Sequence, residues 1–257
     1  MSPWLPDRVE LRLGDGPAGG SARQPGPHRI DALIADFEQN LEARALRRGT
    51  RLRCVVAGDA VRYAVVPWHA ELSSPDQRQR LAEQCFRETY GETARDWTVC
   101  QHTERYAAAT LACAIDASLL DRLDASAQAR GLSLVSVQPS LMHAFNQSRQ
   151  GIEQGLFWFV SVEPHWTTLL LMSAFEPLHV KRLPSAAAAL GALLDREWFS
   201  LGIDVARCPA YVVRSATVEP PPAPSAAARD GSAASWQVID LSPPPAALRQ
   251  TVALKAA

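Results

Sequence analysis

Charged and apolar positions alternate from Arg8 to Leu13 (RVELRL), the period of a half-buried strand. The period then lengthens. Ile30, Leu33, Ile34, Phe37, Leu41 and Ala45 fall on one helical stripe, closed by Arg47 and Arg48 at the negative end of the dipole and stopped by Gly49. Strands are predicted at Arg51–Ala57 and Val61–Val66, joined by Gly58-Asp59 as a tight turn. Ser74, Pro75 and Gln77 form a capping box with proline at the first helical position. The helix they open carries Leu81, Cys85 and Phe86 on its apolar face and ends at Gly91. Paired strands follow at Trp97–His102 and Tyr106–Ile115. Asp116 caps a helix with Leu119, Leu120, Leu123 and Ala127, terminated at Gly131. A buried-type strand, Leu132–Val137, leads to a short helix opened by Pro139, with Leu141, Met142 and Phe145 inward and His143 on its polar side.

From Leu156 the pattern changes to strands in sequence: Phe157–Val162, Thr167–Met172 and Leu178–Leu183, the last two joined by a turn at Glu176-Pro177. A helix from Ser185 to Ser200 and a strand at Ala210–Val213 complete the folded pattern. Beyond Val218 the chain is Pro, Ala and Ser (PPPAPSAAARDGSAAS, later SPPPAA), too poor in apolar surface to fold alone, so disorder is expected there. One apolar island, Trp236–Leu241, interrupts it.

Composition narrows the function classes. The 257 residues are 47% hydrophobic, enough for a sizeable core. Lys plus Arg (26) nearly cancels Asp plus Glu (27), which speaks against the dense basic face that nucleic-acid binding needs. Lys181 and Lys255 are the only lysines, which removes a Walker-type phosphate loop. Cys54, Cys85, Cys100, Cys113 and Cys208 are odd in number and contain no CxxC pair, so reduced thiols are expected rather than zinc or a disulfide framework. The first twenty residues lack an apolar signal core, and no stretch reaches the roughly 18 apolar residues of a membrane span. The expectation is a cytoplasmic protein.

Local chemical motifs are sparse. Gly14-Asp-Gly16-Pro-Ala-Gly19 matches G-x-G-x-x-G after a strand, but Pro17, Pro25 and Pro27 delay the helix whose amide groups would meet a pyrophosphate. It reads as a loop, and an oxidoreductase built on it ranks last. His28, His69, His102, His143, His165 and His179 show no metal-binding spacing, so no metal is expected. There is no GxSxG elbow and no visible catalytic nucleophile.

The most informative stretch is Phe159 to Pro184, FVSVEPHWTTLLLMSAFEPLHVKRLP. One strand ends in Glu163-Pro164-His165-Trp166, Thr167 and Thr168 follow, Leu169–Met172 forms the next strand, and Val180–Pro184 ends the third. This order resembles the second phosphate-binding hairpin of the actin-like (ribonuclease H-like) ATPase fold, as used by pilus and secretion assembly proteins of the PilM and GspL type. Val66-Pro67-Trp68, Tyr90-Gly91 and the string from Gly131 to Pro139 are similar to the same group, so the resemblance spans roughly residues 4 to 214.

The resemblance implies an α/β, actin-like fold. Its expected first domain is residues 1–150 with an inserted subdomain at about 68–115, then a truncated second domain at 151–216 and a disordered tail at 217–257. An active member needs glycine in the hairpin turn and a carboxylate for hydrated magnesium. Glu163 retains the acid, but Pro164 removes an amide donor and His165-Trp166 fills space. The implied function is therefore a scaffold with no catalytic residue and no cofactor. It would bind the cytoplasmic segment of an inner-membrane assembly protein, and an assembly ATPase beside it, as a peripheral protein at the inner membrane. The alternative is an ATPase using ATP and Mg at Glu163, Thr167 and Thr168. Val238-Ile239-Asp240-Leu241-Ser242-Pro243 resembles the short Ile-Asn-Leu-Leu-Pro peptide by which membrane partners dock on PilM-type proteins, which makes Trp236, Val238, Ile239 and Leu241 the candidate partner-binding residues. That island either occupies a groove of its own chain or is a sticky spot in a linker, and the linker reading is favoured.

Overall fold

The structure, a computed structural model, describes residues 8–14, 27–72, 74–101, 107–185, 190–203, 206–215, 218 and 236–242. It divides into two compact units, Met1–Gln147 and Ser148–Ala257.

In the first unit, β1 (Arg8–Leu13), β2 (Arg51–Val56) and β6 (Ser133–Pro139) form a parallel sheet in the order β1-β2-β6. Helices α1 (Pro27–Glu42) and α3 (Ala117–Ala129) bury Leu33, Phe37, Leu41, Leu119 and Leu123 against Leu11, Leu13, Leu52 and Val56 of that sheet. A second, antiparallel sheet has β5 (Thr110–Asp116) between β3 (Val61–Val66) and β4 (Trp97–Gln101). Helix α2 (Pro75–Tyr90) covers it, packing Ala82 and Phe86 on Val66, Val99, Ala112 and Ala114. The Ser74/Gln77 capping box and the Gly91 stop both form as the sequence predicts. Helix α4 (Ser140–Ser148) follows β6.

The second unit is one five-stranded sheet in the order β11-β10-β7-β8-β9, built from β7 (Leu156–Val162), β8 (Trp166–Ser173), β9 (Glu176–Pro184), β10 (Ala210–Arg214) and β11 (Val238–Asp240). β7, β8 and β9 form an antiparallel meander, while β10 joins β7 in parallel. Helix α5 (Leu190–Ser200) covers one face, burying Leu194 and Trp198 over Trp158, Val160, Leu169 and Leu171.

Several expectations are corrected. Helix α1 ends at Glu42, short of Gly49, because tertiary contacts capture the chain: the Arg44 guanidinium reaches Glu10 O (3.1 Å), Leu46 joins the core, and Gly49 N–H bonds Gly131 O (2.7 Å). Gly58-Asp59 forms the expected tight turn, with Ala60 N–H donating to Ala57 O (3.1 Å), but the strands it joins do not pair. Both edges of β2 are taken by β1 and β6, so the chain leaves that sheet after Ala57 and starts another at Val61. The turn expected at Glu176-Pro177 lies at Ala174-Phe175, both at positive φ (47° and 66°), and Glu176 and Pro177 already belong to β9. Phe175 is held in that unfavourable conformation by an edge-on contact with Phe157 and by the Arg149 guanidinium over its ring.

His143 is buried rather than on a polar face. Its Nε2 lies 3.3 Å from Glu10 Oε1 and its Nδ1 3.4 Å from Gln138 Oε1. Burial, with Arg12 and Arg53 adding to it, holds its pKa below the usual value against the pull of Glu10, so the ring is neutral at pH 7. The tail expectation fails at one place: Trp236–Ser242 is ordered, and its Val238–Asp240 segment is a strand. The rest of 219–257 lies outside the described residues, as do residues 15–26 of the glycine-rich loop.

Candidate functional site

The three residues singled out for phosphate chemistry sit at the β7–β8 hairpin, and strand alternation separates them. Thr167 is the register partner of Val162, which belongs to the core under α5. Thr168 pairs with Ser161 and Arg182 on the opposite face, the face to which Glu163 also alternates. All three are buried, Thr167 and Thr168 each 3% exposed. At the turn, Glu163 N–H already donates to Trp166 O (2.8 Å), Pro164 has no N–H, and His165 O accepts from Ser185 N–H (2.8 Å). Arg182 stacks over the Trp166 ring, its guanidinium carbon 4.4 Å from the centroid.

Nothing in this arrangement offers the row of free amides that cradles a phosphate. One of the two threonines is committed to the core, and the turn amide of Glu163 is spent within the hairpin. The residues present do not fit an ATP–magnesium cradle. Among the described residues no group of three His, Cys, Asp or Glu side chains could hold a metal ion. Gly14, the one described glycine of the G-x-G-x-x-G match, has a structural task. Its N–H donates to Asp36 Oδ2 (2.9 Å), and its φ of +91° brings the backbone so near β2 that a Cβ would stand 2.9 Å from Ala57 Cβ.

The apolar island Trp236–Leu241 is brought to the sheet edge formed by β10. Ala210, Tyr211 and Val212 pair in parallel with Val238, Ile239 and Asp240. Backbone bonds run from Ala210 N–H to Gln237 O and from Leu241 N–H to Val212 O, both 2.8 Å. The two ends are pinned by side chains. Trp236 lies edge-on to Trp198 (5.4 Å), donates its indole N–H to Asp195 Oδ1 (2.9 Å) and takes Arg207 over its ring. At the other end Asp240 pairs with Arg214, and Ser242 Oγ accepts from Arg214 N–H (2.8 Å). Leu241 packs near Gly151, while Val238 stays exposed. The favoured linker reading is thus overturned: the island occupies an edge of its own unit. Sequence inspection missed Asp195, Arg207 and Arg214, whose only signal is complementary charge far along the chain.

The first unit holds a more open site. A groove of about 480 Å³ runs between β6, the β4–β5 pair and α3. Every residue from Leu134 to Pro139 lines it, as an edge does and a single face does not. β6 pairs only with β2, so its other edge is unpaired among the described residues. Val135 is 43% exposed there, and Asp121 and Asp124 of α3 make the rim acidic. A smaller cleft of about 290 Å³ lies by Arg29, Asp59, Arg62 and Trp97.

A parallel sheet backed by helices, an inserted antiparallel sheet with its own helix, and a second unit led by an antiparallel meander define an actin-like ATPase fold, as the order of motifs implied. Among solved structures, the chain is similar to the cytoplasmic domain of EpsL, an inner-membrane component of the type II secretion system of Vibrio cholerae. The TM-score is 0.53 and the identity 11%, over 88% of this chain and 82% of that one. It is also similar to the PilM–PilN type IV pilus biogenesis complex, at TM-score 0.50 and 13% identity, over 72% of this chain and 69% of that one. An actin-like ATPase-fold protein of Bacteroides thetaiotaomicron aligns at TM-score 0.49 and 11% identity, over 81% of each chain. No protein-family model matches the sequence, and a search of curated proteins finds no match. No helix among the described residues is long and apolar enough to cross a membrane.

Proposed function

We propose that this chain is a non-catalytic scaffold of a pilus- or secretion-type assembly system, which captures an extended cytoplasmic segment of an inner-membrane protein in the groove beside β6. The observation that carries this reading is the unpaired β6 edge lying along an apolar groove with Val135 exposed in it. An extended peptide adds to such an edge through main-chain hydrogen bonds, and alternate side chains fill the groove. The acidic rim favours a partner with basic flanks, which membrane proteins carry on their cytoplasmic side. The kinship in fold to EpsL and to PilM, one an inner-membrane component and the other seen in complex with PilN, supports the same direction. Such a protein works at the membrane through its partner, as a peripheral cytoplasmic component.

The alternative, nucleotide binding at the hairpin, is disfavoured by the separation of Thr167 from Glu163 and Thr168. Two measurements test the pair of readings. A photocrosslinking amino acid at Ser136 in the producing cell should yield adducts with an integral membrane protein, and adducts with soluble proteins alone would refute the capture role. Thermal unfolding with and without millimolar Mg-ATP should show no shift. A shift that Glu163→Ala abolishes would restore the ATPase reading, since ligand at 100 times its dissociation constant stabilises by about 2.7 kcal/mol.

A further inference from the structure

We infer that Cys100 and Cys113 form a thiol pair that a small-molecule disulfide such as oxidised glutathione converts to a cross-strand disulfide in the wall of the β6 groove. The two residues are direct register partners on β4 and β5. Cα atoms of directly opposed antiparallel residues stand about 4.5 or 5.5 Å apart, and both separations fall within the range of roughly 4.4–6.8 Å that a disulfide spans. Register partners also project to the same face. Their neighbours Val99 and Ala114 pack under α2, so the two thiols face away from that helix, and both line the groove.

Exposure sets their roles. Cys100 is exposed and Cys113 half-buried. Burial, with the neighbouring Cys100 adding to it, pushes the Cys113 thiol up to about 11, which makes it the slower first nucleophile. The remaining thiols are poor competitors: Cys54 and Cys208 are buried and pushed up to about 12 and 11, and the Cys85 thiol is also raised by burial. The Cys100 thiolate attacks one sulfur of oxidised glutathione, forming a mixed disulfide and releasing one glutathione thiolate. The Cys113 thiolate then attacks Cys100 Sγ, forming the protein disulfide and releasing the second glutathione. Two protein thiols are oxidised and one glutathione disulfide is reduced to two thiols, so electrons and atoms balance. An accessible disulfide of this kind is readily reduced again. The site rests on strand register and does not depend on what the groove binds.

The test treats the full chain with oxidised glutathione, blocks residual thiols by alkylation and maps the products by mass spectrometry. The expected product is a Cys100–Cys113 peptide pair lighter by two hydrogens, reversed by dithiothreitol and formed at least tenfold faster than any modification of Cys85. Cys113→Ser should accumulate glutathione stably on Cys100, and Cys100→Ser should abolish both products. A wild-type protein that keeps glutathione on Cys100 without closing the ring would overturn the inference, as would reaction at Cys85 as fast as at Cys100.

Discussion

The sheets of the two units each present a parallel strand at an edge, and they treat it in opposite ways. In the second unit the edge of β10 is closed by three residues of the chain's own C-terminal region, pinned by Trp236 at one end and by Arg214–Asp240 at the other. In the first unit the edge of β6 has no strand beside it among the described residues, and an apolar groove runs along it instead. An open edge invites pairing with any extended chain, so proteins cover those they do not use. The contrast sets a covered edge at β10 against the open edge at β6, where the groove of the proposed capture lies.

If β11 is structural cover, removing its anchor should hurt most. Trp236→Ala deletes the contact with Trp198, the bond to Asp195 and the cation stack with Arg207. It should cost about 2–3 kcal/mol, below the range for a fully buried Trp because the ring is half-exposed. Denaturant unfolding would measure the loss, and amide exchange should speed up at Ala210, whose N–H bonds Gln237 O. Unchanged protection at Ala210 would mean that the edge does not need its cover.

The opposite edge of the second unit's sheet, β9, offers a second way to sharpen the contrast. It is tied to α5 by Lys181, whose Nζ lies 2.7 Å from the Glu197 carboxylate. Burial pushes that carboxyl up, but the bonds and charges of Lys181 and Arg196 outweigh it and hold its pKa below the usual value. Lys181→Met leaves a carboxylate that is 1% exposed with the Arg196 guanidinium, 3.2 Å away, as its remaining partner. It should cost about 2 kcal/mol at pH 7, less than the loss for breaking a fully buried pair because Lys181 is 43% exposed. The sign is checkable. A depressed carboxylate stabilises above its unfolded pKa and loses that contribution as pH falls through the folded value, so the gap between wild type and variant should close in acid.

What the sequence made legible was local. The RVELRL strand, Val61–Val66 and the Ser74/Gln77 box match the structure because their signals lie within the element itself. What it hid was set by partners far away in the chain. Three residues of strand flanked by prolines read as linker, and only β10 and Trp198, dozens of residues earlier, turn Trp236–Leu241 into sheet. His143 reads as a surface residue until Glu10 arrives beside it. The candidate site was half legible. Glu163, Thr167 and Thr168 were named, and their place in one strand already puts the two threonines on opposite faces, but only the register with β7 shows that Thr167 is the one turned to the core under α5.

His143 probes the ground on which the open edge stands, since it touches Gln138 of β6 and Glu10 of β1. Its pKa is lowered in the folded protein, so the unfolded chain binds the extra proton first as pH falls below about 6.5. Stability should therefore be full above that value and fall by up to about 1.4 kcal/mol per pH unit down to the folded pKa. The charged groups facing the ring are Glu10, Arg12 and Arg53. Differencing wild type against His143→Phe across pH 5–7 isolates the slope, and parallel curves would show that the ring is not held neutral.

The smallest effect on stability should come from a residue at the centre of the proposed capture groove. Val135 is exposed, so Val135→Glu loses little buried apolar area and should change unfolding free energy by less than about 0.5 kcal/mol. In the groove its consequences differ. A third carboxylate would join Asp121 and Asp124 along the edge where a partner strand must pair, and it would have to be desolvated to let that strand in. Photocrosslinks from Ser136 to a membrane protein should disappear in this variant, while Val135→Thr, which keeps the β-branched shape, should retain most of them. Leu178, exposed on β9 in the other unit, supplies the control. Leu178→Glu should leave the crosslinks intact. If both acidic variants abolish them equally, charge anywhere on the surface suffices, and the open β6 edge is no more a capture site than the rest of the protein.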